Sequence, residues 1–292
     1  MLEPRIGEFT ASDGYRHCYR QWPAAGDPRG RIVALHGIQS HSGWYEYSCR
    51  RLAMAGWEVW FLDRRGSGMN NRERGHAPNG GRLLEDVREF AEMARRTEPE
   101  VLPMVLMAVS WGGKLAAVTA ARAAGLVDAV ALLYPGILAR IKPRWSQRLA
   151  LRLAERMGSG QRLRPIPLRD PGMFTSSRAW QEFIRRDPLA LHEVTVSFLN
   201  ASLQLDELAV AAPPAITCPL LLMLAGADRI IDNAATEGWL TRVRGPVRSV
   251  VYPQAEHTLE FEACREQFVS DLLVWLESAT SAGGKQTPPV TA

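Results

Sequence analysis

The chain has 292 residues, of which 46% are hydrophobic and 23% charged, with a formal net charge of +4. That length suits one large α/β domain carrying an insertion, and so mild a charge, with no basic run interleaved with aromatics, gives no reason to expect a nucleic-acid partner. No stretch is apolar for long enough to cross a bilayer, and residues 1–9 carry Glu3, Pro4, Arg5 and Glu8 where a secretory signal needs an apolar core, so the expectation is a soluble, cytoplasmic protein.

Along the chain, apolar runs alternate with helical patterns, as βα units around a mostly parallel sheet do. Residues 5–22 read as an antiparallel hairpin turning at Ser12-Asp13-Gly14. Residues 31–35 form a strand that ends at His36-Gly37. A helix over 44–55 stops before Gly56, and a strand over 58–62 runs into Asp63-Arg64-Arg65-Gly66-Ser67-Gly68. Residues 83–98 make a charged amphipathic helix. A strand over 104–109 ends abruptly at Ser110, and a helix begins near Lys114. Further strands cover 128–134, ending at Pro135-Gly136, then 220–225, ending at Gly226-Ala227-Asp228, then 248–252, ending before His257. A helix over 261–277 closes the fold, and 279–292, small, polar and rich in Pro and Gly, reads as a disordered tail.

Residues 137–212 break this rhythm. They read as several short helices interrupted by prolines, and we take them as a helical cap inserted into a core domain of residues 1–136 and 213–278. Within the cap, 137–169 holds nine Lys/Arg against one acid, Glu155. Trp145, Leu149, Leu153 and Met157 recur every four residues, with Arg148, Arg152 and Arg156 beside them. We expect this apolar stripe to cover the cleft and the arginines to be solvated. The alternative is peripheral contact with an anionic membrane.

Four cysteines, Cys18, Cys49, Cys218 and Cys264, lie far apart without a C-x-x-C or zinc spacing, and read as free thiols in a reducing compartment.

The chemistry concentrates at strand ends. Ala108-Val109-Ser110-Trp111-Gly112 is one methyl group away from G-x-S-x-G, in which small residues flank a serine held on a sharp turn between strand and helix. A serine hydroxyl needs a base, and the base needs an orienting acid. Of six histidines only His192 and His257 follow Ser110. His257 hangs after an apolar strand and is the expected base, whereas His192 lies in a helical pattern of the cap. Asp228, just past a strand end, is the expected acid, and Asp232 is the alternative, better suited to capping the next helix. The oxyanion of an acyl-transfer intermediate needs backbone donors. Trp111 supplies one, and Ile38, or failing it Gln39, the other.

Together these segments resemble the monoacylglycerol lipase and lysophospholipase group, serine aminopeptidase-like members of the α/β-hydrolase superfamily. The resemblance is carried by His36-Gly37-Ile38-Gln39-Ser40-His41-Ser42-Gly43-Trp44-Tyr45, by Asp63 to Gly68, by the Ser110 turn, by Asp187-Pro188-Leu189, by Gly226 to Asp232 and by Ala255-Glu256-His257. It spans roughly residues 30–270. It departs from the group at Ala108 and at Trp111, whose bulk beside the nucleophile bears on the acyl pocket.

The resemblance implies a mostly parallel eight-stranded sheet flanked by helices with an inserted helical cap. It implies hydrolysis of monoacylglycerols, lysophospholipids or other single-chain esters through an acyl-enzyme on Ser110, with Asp228 and His257 completing a catalytic triad and no metal or organic cofactor. Gln39 is expected to touch substrate, and His41 either to touch it or to support the oxyanion loop, while Asp63, Gly66 and Gly68 shape a turn. Thioesterase or peptidase activity with the same triad, or a non-catalytic ligand receptor on the same fold, are the alternatives. Oligomeric state is left open.

Overall fold

The computed structural model describes residues 3–98 and 102–281. In chain order the main elements are β1 (Arg5–Thr10), β2 (Arg16–Trp22), β3 (Gly30–Leu35), α1 (Glu46–Met54), β4 (Trp57–Leu62), α2 (Gly80–Arg95), β5 (Met104–Val109), α3 (Gly112–Arg122) and β6 (Ala129–Leu133). They continue with α4 (Trp145–Ala154), β7 (Leu163–Pro165), α5 (Arg178–Arg186), β8 (Glu193–Thr195), α6 (Val196–Ala211), β9 (Leu220–Ala225), α7 (Asn233–Leu240), β10 (Val247–Tyr252) and α8 (Arg265–Ser281).

Eight strands form one sheet in the order β1-β2-β4-β3-β5-β6-β9-β10. The β1–β2 and β2–β4 pairings are antiparallel, and the other five are parallel. Side chains alternate across the central strands, which are buried on both faces. Val33, Leu35, Leu106 and Ala108 point into one core layer with α2, α3 and α6. Ile32, Ala34, Val105 and Val109 point into the other, with α1 and α8. The apolar runs of the sequence are therefore strands covered by helices on both sides.

Several boundaries differ from the pattern for local reasons. The expected 44–55 helix is two pieces: His41 caps a 3-10 turn at Ser42–Tyr45, and α1 follows. The charged helix expected from 83 starts at Gly80, because the Asn79 side chain accepts from the Arg82 N–H and begins it three residues earlier. The last helix is likewise preceded by a 3-10 turn at Leu259–Phe261 and runs to Ser281, so the tail boundary placed at 279 falls inside a helix. Residues 282–292 lie outside the described residues.

Between β6 and β9 the chain leaves the sheet. It contains α4, a kinked turn over Glu155–Ser159 with Gly158 at φ +80°, the antiparallel β7–β8 pair, α5 and α6. Two expectations fail here. The segment is not a set of short helices only, since α6 is sixteen residues long, capped by Thr195 accepting from Phe198 N–H, and joins the layer of α2 and α3. The stripe on α4 does not cover the cleft either. Trp145 is 79% and Met157 81% exposed, with Leu149 and Leu153 also facing out. The opposite face, Gln147, Ala150, Leu151 and Ala154, lines a cavity instead.

Candidate active site

The turn after β5 holds Ser110 at φ +48°, a left-handed conformation that is costly for a residue with a side chain. It is held by hydrogen bonds at each of its backbone groups. Ser110 N–H donates to Leu133 C=O at 3.0 Å, and its own C=O accepts from Gly113 N–H at 2.9 Å and Gly136 N–H at 2.6 Å. Three glycines make room. A Cβ on Gly112 would sit 2.7 Å from the His36 carbonyl oxygen, and one on Gly136 3.0 Å from Trp111 N. One on Gly37 would sit 3.3 Å from Ser110 Cβ. Ala108, the departure from the pattern, is buried in the core layer of β5, where its methyl group is accommodated.

His257 lies in the loop after β10, with Nε2 2.9 Å from Ser110 Oγ and Nδ1 2.7 Å from Asp228 Oδ2. The carboxylate can only accept, so Nδ1 carries the proton and Nε2 is left as acceptor for the serine hydroxyl. The other oxygen of Asp228 accepts from Ile230 N–H at 2.7 Å and Ile231 N–H at 3.0 Å, which fixes the carboxylate. Both side chains are almost wholly buried.

Two aromatics missed by the sequence reading hold the imidazole plane edge-on: Tyr134 at 4.9 Å and Phe174 at 5.9 Å between ring centroids. Phe174 comes from the segment between β6 and β9, and its C=O accepts from Thr258 N–H at 2.9 Å. Nothing in their spacing marks these two residues. The two rejected alternatives fall elsewhere. Asp232 caps α7, accepting from Ala235 N–H, and His192 is exposed, in an irregular stretch before β8 rather than in a helix.

The loop after β3 brings Ile38 beside Ser110 in the cavity lining. Among the described residues neither the Ile38 nor the Trp111 backbone N–H donates to a protein acceptor, so both remain open to a substrate oxygen. Gln39 is turned away from the cavity, and His41 takes the second of its two expected roles, supporting the loop. Gln39 donates from Nε2 to Leu168 C=O, and His41 Nε2 meets Asp187 Oδ2 at 2.9 Å while its Nδ1 accepts from Gly43 N–H. Both are buried, committed to protein partners and absent from the cavity lining. They tie the loop to the 137–212 segment. Asp63 accepts from Ser42 N–H and Met69 N–H, both at 2.8 Å, and a Cβ on Gly68 would strike its carboxylate, so the turn braces the same loop.

Arg64 lies behind it. Its guanidinium donates to Gly37 C=O at 3.0 Å and Ile38 C=O at 3.1 Å, and stacks 4.7 Å from the Trp111 ring. Burial pulls it down to about 9, which leaves it charged at neutral pH. Burial, and then the Arg64 charge, hold His36 well below the usual imidazole range, so His36 is neutral.

Ser110, Ile38 and Trp111 open onto a cavity of about 620 Å³ under α4 and α6. Its walls are mainly apolar, including Leu151, Ile166, Leu199, Leu203 and Ile231. The Trp111 ring stacks on Phe198 and donates from Nε1 to Ser202 Oγ at 2.9 Å. Lys114, paired with Asp206, adds a polar patch on the same wall. Among the described residues no group of three or more His, Cys, Asp or Glu side chains is arranged to hold a metal ion.

A sheet of this strand order, with a strained serine after a central strand and an acid and histidine at the ends of later ones, defines the α/β-hydrolase class. Residues 26–263 match the family described as serine aminopeptidase, S33, and the chain belongs to that family. It is 28% identical over 284 residues to a monoacylglycerol lipase of Mycolicibacterium smegmatis, covering 92% of this chain and 96% of the relative. It is 25% identical over 293 residues to human monoglyceride lipase, covering 97% and 94%. Among solved structures, a soluble variant of the Saccharomyces cerevisiae monoglyceride lipase superposes with a TM-score of 0.84 at 19% identity, over 96% of this chain and 97% of that one. A Bacillus coagulans carboxyl esterase does so at 0.83 and 17%, over 96% and 100%.

Proposed function

We propose that the protein is a serine hydrolase of carboxylic esters, acting on monoacylglycerols, lysophospholipids or similar single-chain esters. The observation that carries this reading is the Ser110–His257–Asp228 hydrogen-bond chain opening onto an apolar cavity. His257 Nε2 takes the Ser110 proton as Oγ attacks the ester carbonyl. The oxyanion that forms accepts from Ile38 and Trp111 N–H. His257 then gives the proton to the departing alcohol, leaving an acyl group on Ser110. Water, deprotonated by the same histidine, attacks the acyl carbon, and His257 returns that proton to Ser110 Oγ as the bond to the acyl group breaks and the carboxylic acid leaves. Asp228 holds the imidazole and stabilises its charged form without taking the proton.

The relatives named as monoacylglycerol and monoglyceride lipases support the ester class. The apolar lining supports an acyl chain as the part of the substrate that enters. Peptidase action at an amino terminus would call for a free carboxylate facing the substrate ammonium. Asp206, the one carboxylate among the lining residues, is already paired with Lys114. We further propose that residues 137–212 act as a cap, and that the outward stripe of α4 with its arginines rests on an anionic membrane from which such esters are drawn. No helix among the described residues is long and apolar enough to cross a membrane.

The test is a rate series over p-nitrophenyl esters of rising chain length, beside a monoacylglycerol, lysophosphatidylcholine, an acyl thioester and an aminoacyl anilide. The expected result is turnover that depends on chain length, with the oxygen esters preferred. A flat, near-zero ester profile, or faster cleavage of thioester or anilide, contradicts it.

A further inference from the structure

Arg64 is a buried cation that makes no direct ion pair among the described residues, and the neighbouring Asp63 carboxylate acts on it only through space. The Asp63 carboxylate is taken by two backbone N–H groups, and Asp86 is paired with Arg65 and Arg82. The Arg64 Nε has no hydrogen-bond partner among the described residues. A charge buried without a direct ion pair is costly for a fold to hold. Its two hydrogen bonds go to backbone carbonyls that water or a neutral donor would satisfy as well.

What distinguishes those carbonyls is the peptide they belong to. Gly37 C=O and Ile38 N–H are two ends of one planar unit. Arg64 Nη1 donates to that oxygen, and so does His36 Nδ1 at 2.8 Å. The His36 tautomer is fixed by Arg64 itself, whose backbone N–H donates to Nε2 at 2.9 Å. Two donors on the carbonyl pull electron density through the amide and make its N–H a stronger donor. That N–H is the one left open beside Ser110. The same guanidinium stacks on Trp111, whose backbone N–H is the second open donor.

We propose that Arg64 is the electrostatic positioning residue of the oxyanion site: it fixes the Gly37–Ile38 peptide and polarises its N–H toward the charge that develops on the substrate oxygen. No bond forms or breaks at Arg64, and its protons stay in place. The charge is set before the reaction and needs no rearrangement as the oxyanion forms. This rests on the serine-hydrolase reading above.

A residue that merely staples the loop and one that serves the transition state differ in what their loss does. In Arg64→Met we expect kcat for a p-nitrophenyl ester to fall by about 10- to 100-fold with KM changed by no more than about threefold, which is weaker than deleting an oxyanion donor outright. A long-chain alkyl trifluoromethyl ketone, whose adduct with Ser110 carries an oxyanion, should lose affinity by the same factor as kcat/KM. The matching secondary alcohol, which forms no adduct, should bind as before. Arg64→Lys, which keeps the charge, should recover part of the loss, and it carries the test should the Met variant fail to fold. Equal weakening of ketone and alcohol, or unchanged affinity for both, overturns the proposal. Fluorophosphonate labelling of the wild type separates the two levels. A labelled wild type with an insensitive Arg64 overturns this inference alone, whereas an unlabelled one overturns the serine reading and this inference with it.

Discussion

Ser110 sits where it does because its neighbours lack side chains. The residues that make the room come from three strand ends: Gly37 after β3, Gly112 at the start of α3 and Gly136 after β6. Two of these lie outside the five-residue motif. In Gly136→Ala the new Cβ meets Trp111 N at 3.0 Å and Ser110 C at 3.1 Å, and backbone cannot yield as a flexible side chain can. We expect kcat/KM to fall about 100-fold through displacement of the serine, read in ester kinetics beside a melting curve. Ala108→Gly should act on stability and not on turnover. Ala108 faces the core and not the cavity, so restoring the family's glycine should cost about 1 kcal/mol of stability and leave turnover unchanged. Asp228→Asn should keep the fold and lower kcat by about 10⁴, because an amide can stabilise the wrong imidazole tautomer.

The clustering of Ser110, Asp228 and His257 is legible because each is a polar residue following an apolar run, in a fixed chain order. Sharing the loop suggests substrate contact for Gln39 and leaves His41 open between contact and loop support. Their partners, Leu168 and Asp187, are more than a hundred positions away, and spacing carries no trace of that. Arg64 was passed over for the same reason: its importance lies in which carbonyls it meets.

At the scale of elements, α4 shows the limit of periodicity. Four apolar residues at a spacing of four establish a stripe on one helix face, but not whether that face meets protein or water. The small residues Ala150 and Ala154 face the cavity, and they allow the helix to approach it closely while the larger side chains point out. The β7–β8 ladder is three residues long, too short to raise a period of two above its surroundings. The double variant Trp145→Ser/Leu149→Ser tests the exposed stripe. Co-sedimentation with anionic vesicles should fall at least tenfold and the salt dependence of the remainder should persist, while hydrolysis of a short soluble ester stays unchanged. Equal binding of wild type and variant, or equal binding to neutral vesicles, contradicts the membrane role.

For the whole molecule, stability couples to pH through Glu260. It lies in the 3-10 turn after His257, fully buried, and accepts from Ser48 N–H of α1 at 3.1 Å, so it links the histidine loop to a flanking helix. Burial pushes its carboxyl up from 4.5 to about 7, and the Ser48 hydrogen bonds only partly offset this. The folded state therefore binds the proton more tightly than the unfolded one. That contribution is complete below about pH 4.5 and is lost as pH rises through about 7. Glu260→Gln keeps an acceptor for Ser48 and removes the titration. Denaturant unfolding should show the variant gaining on the wild type between pH 4.5 and 8, by on the order of 3 kcal/mol at most. Parallel pH profiles for the two proteins would contradict it.

The central claim is that Ser110 is a nucleophile activated by His257. Its most direct test is covalent labelling by a fluorophosphonate, read by intact mass and by peptide mapping. The account requires one adduct per chain, on Ser110, absent in Ser110→Ala and slowed by about a thousandfold or more in His257→Ala. A folded wild type that is not labelled, or an adduct on any other residue that persists in Ser110→Ala, would contradict it.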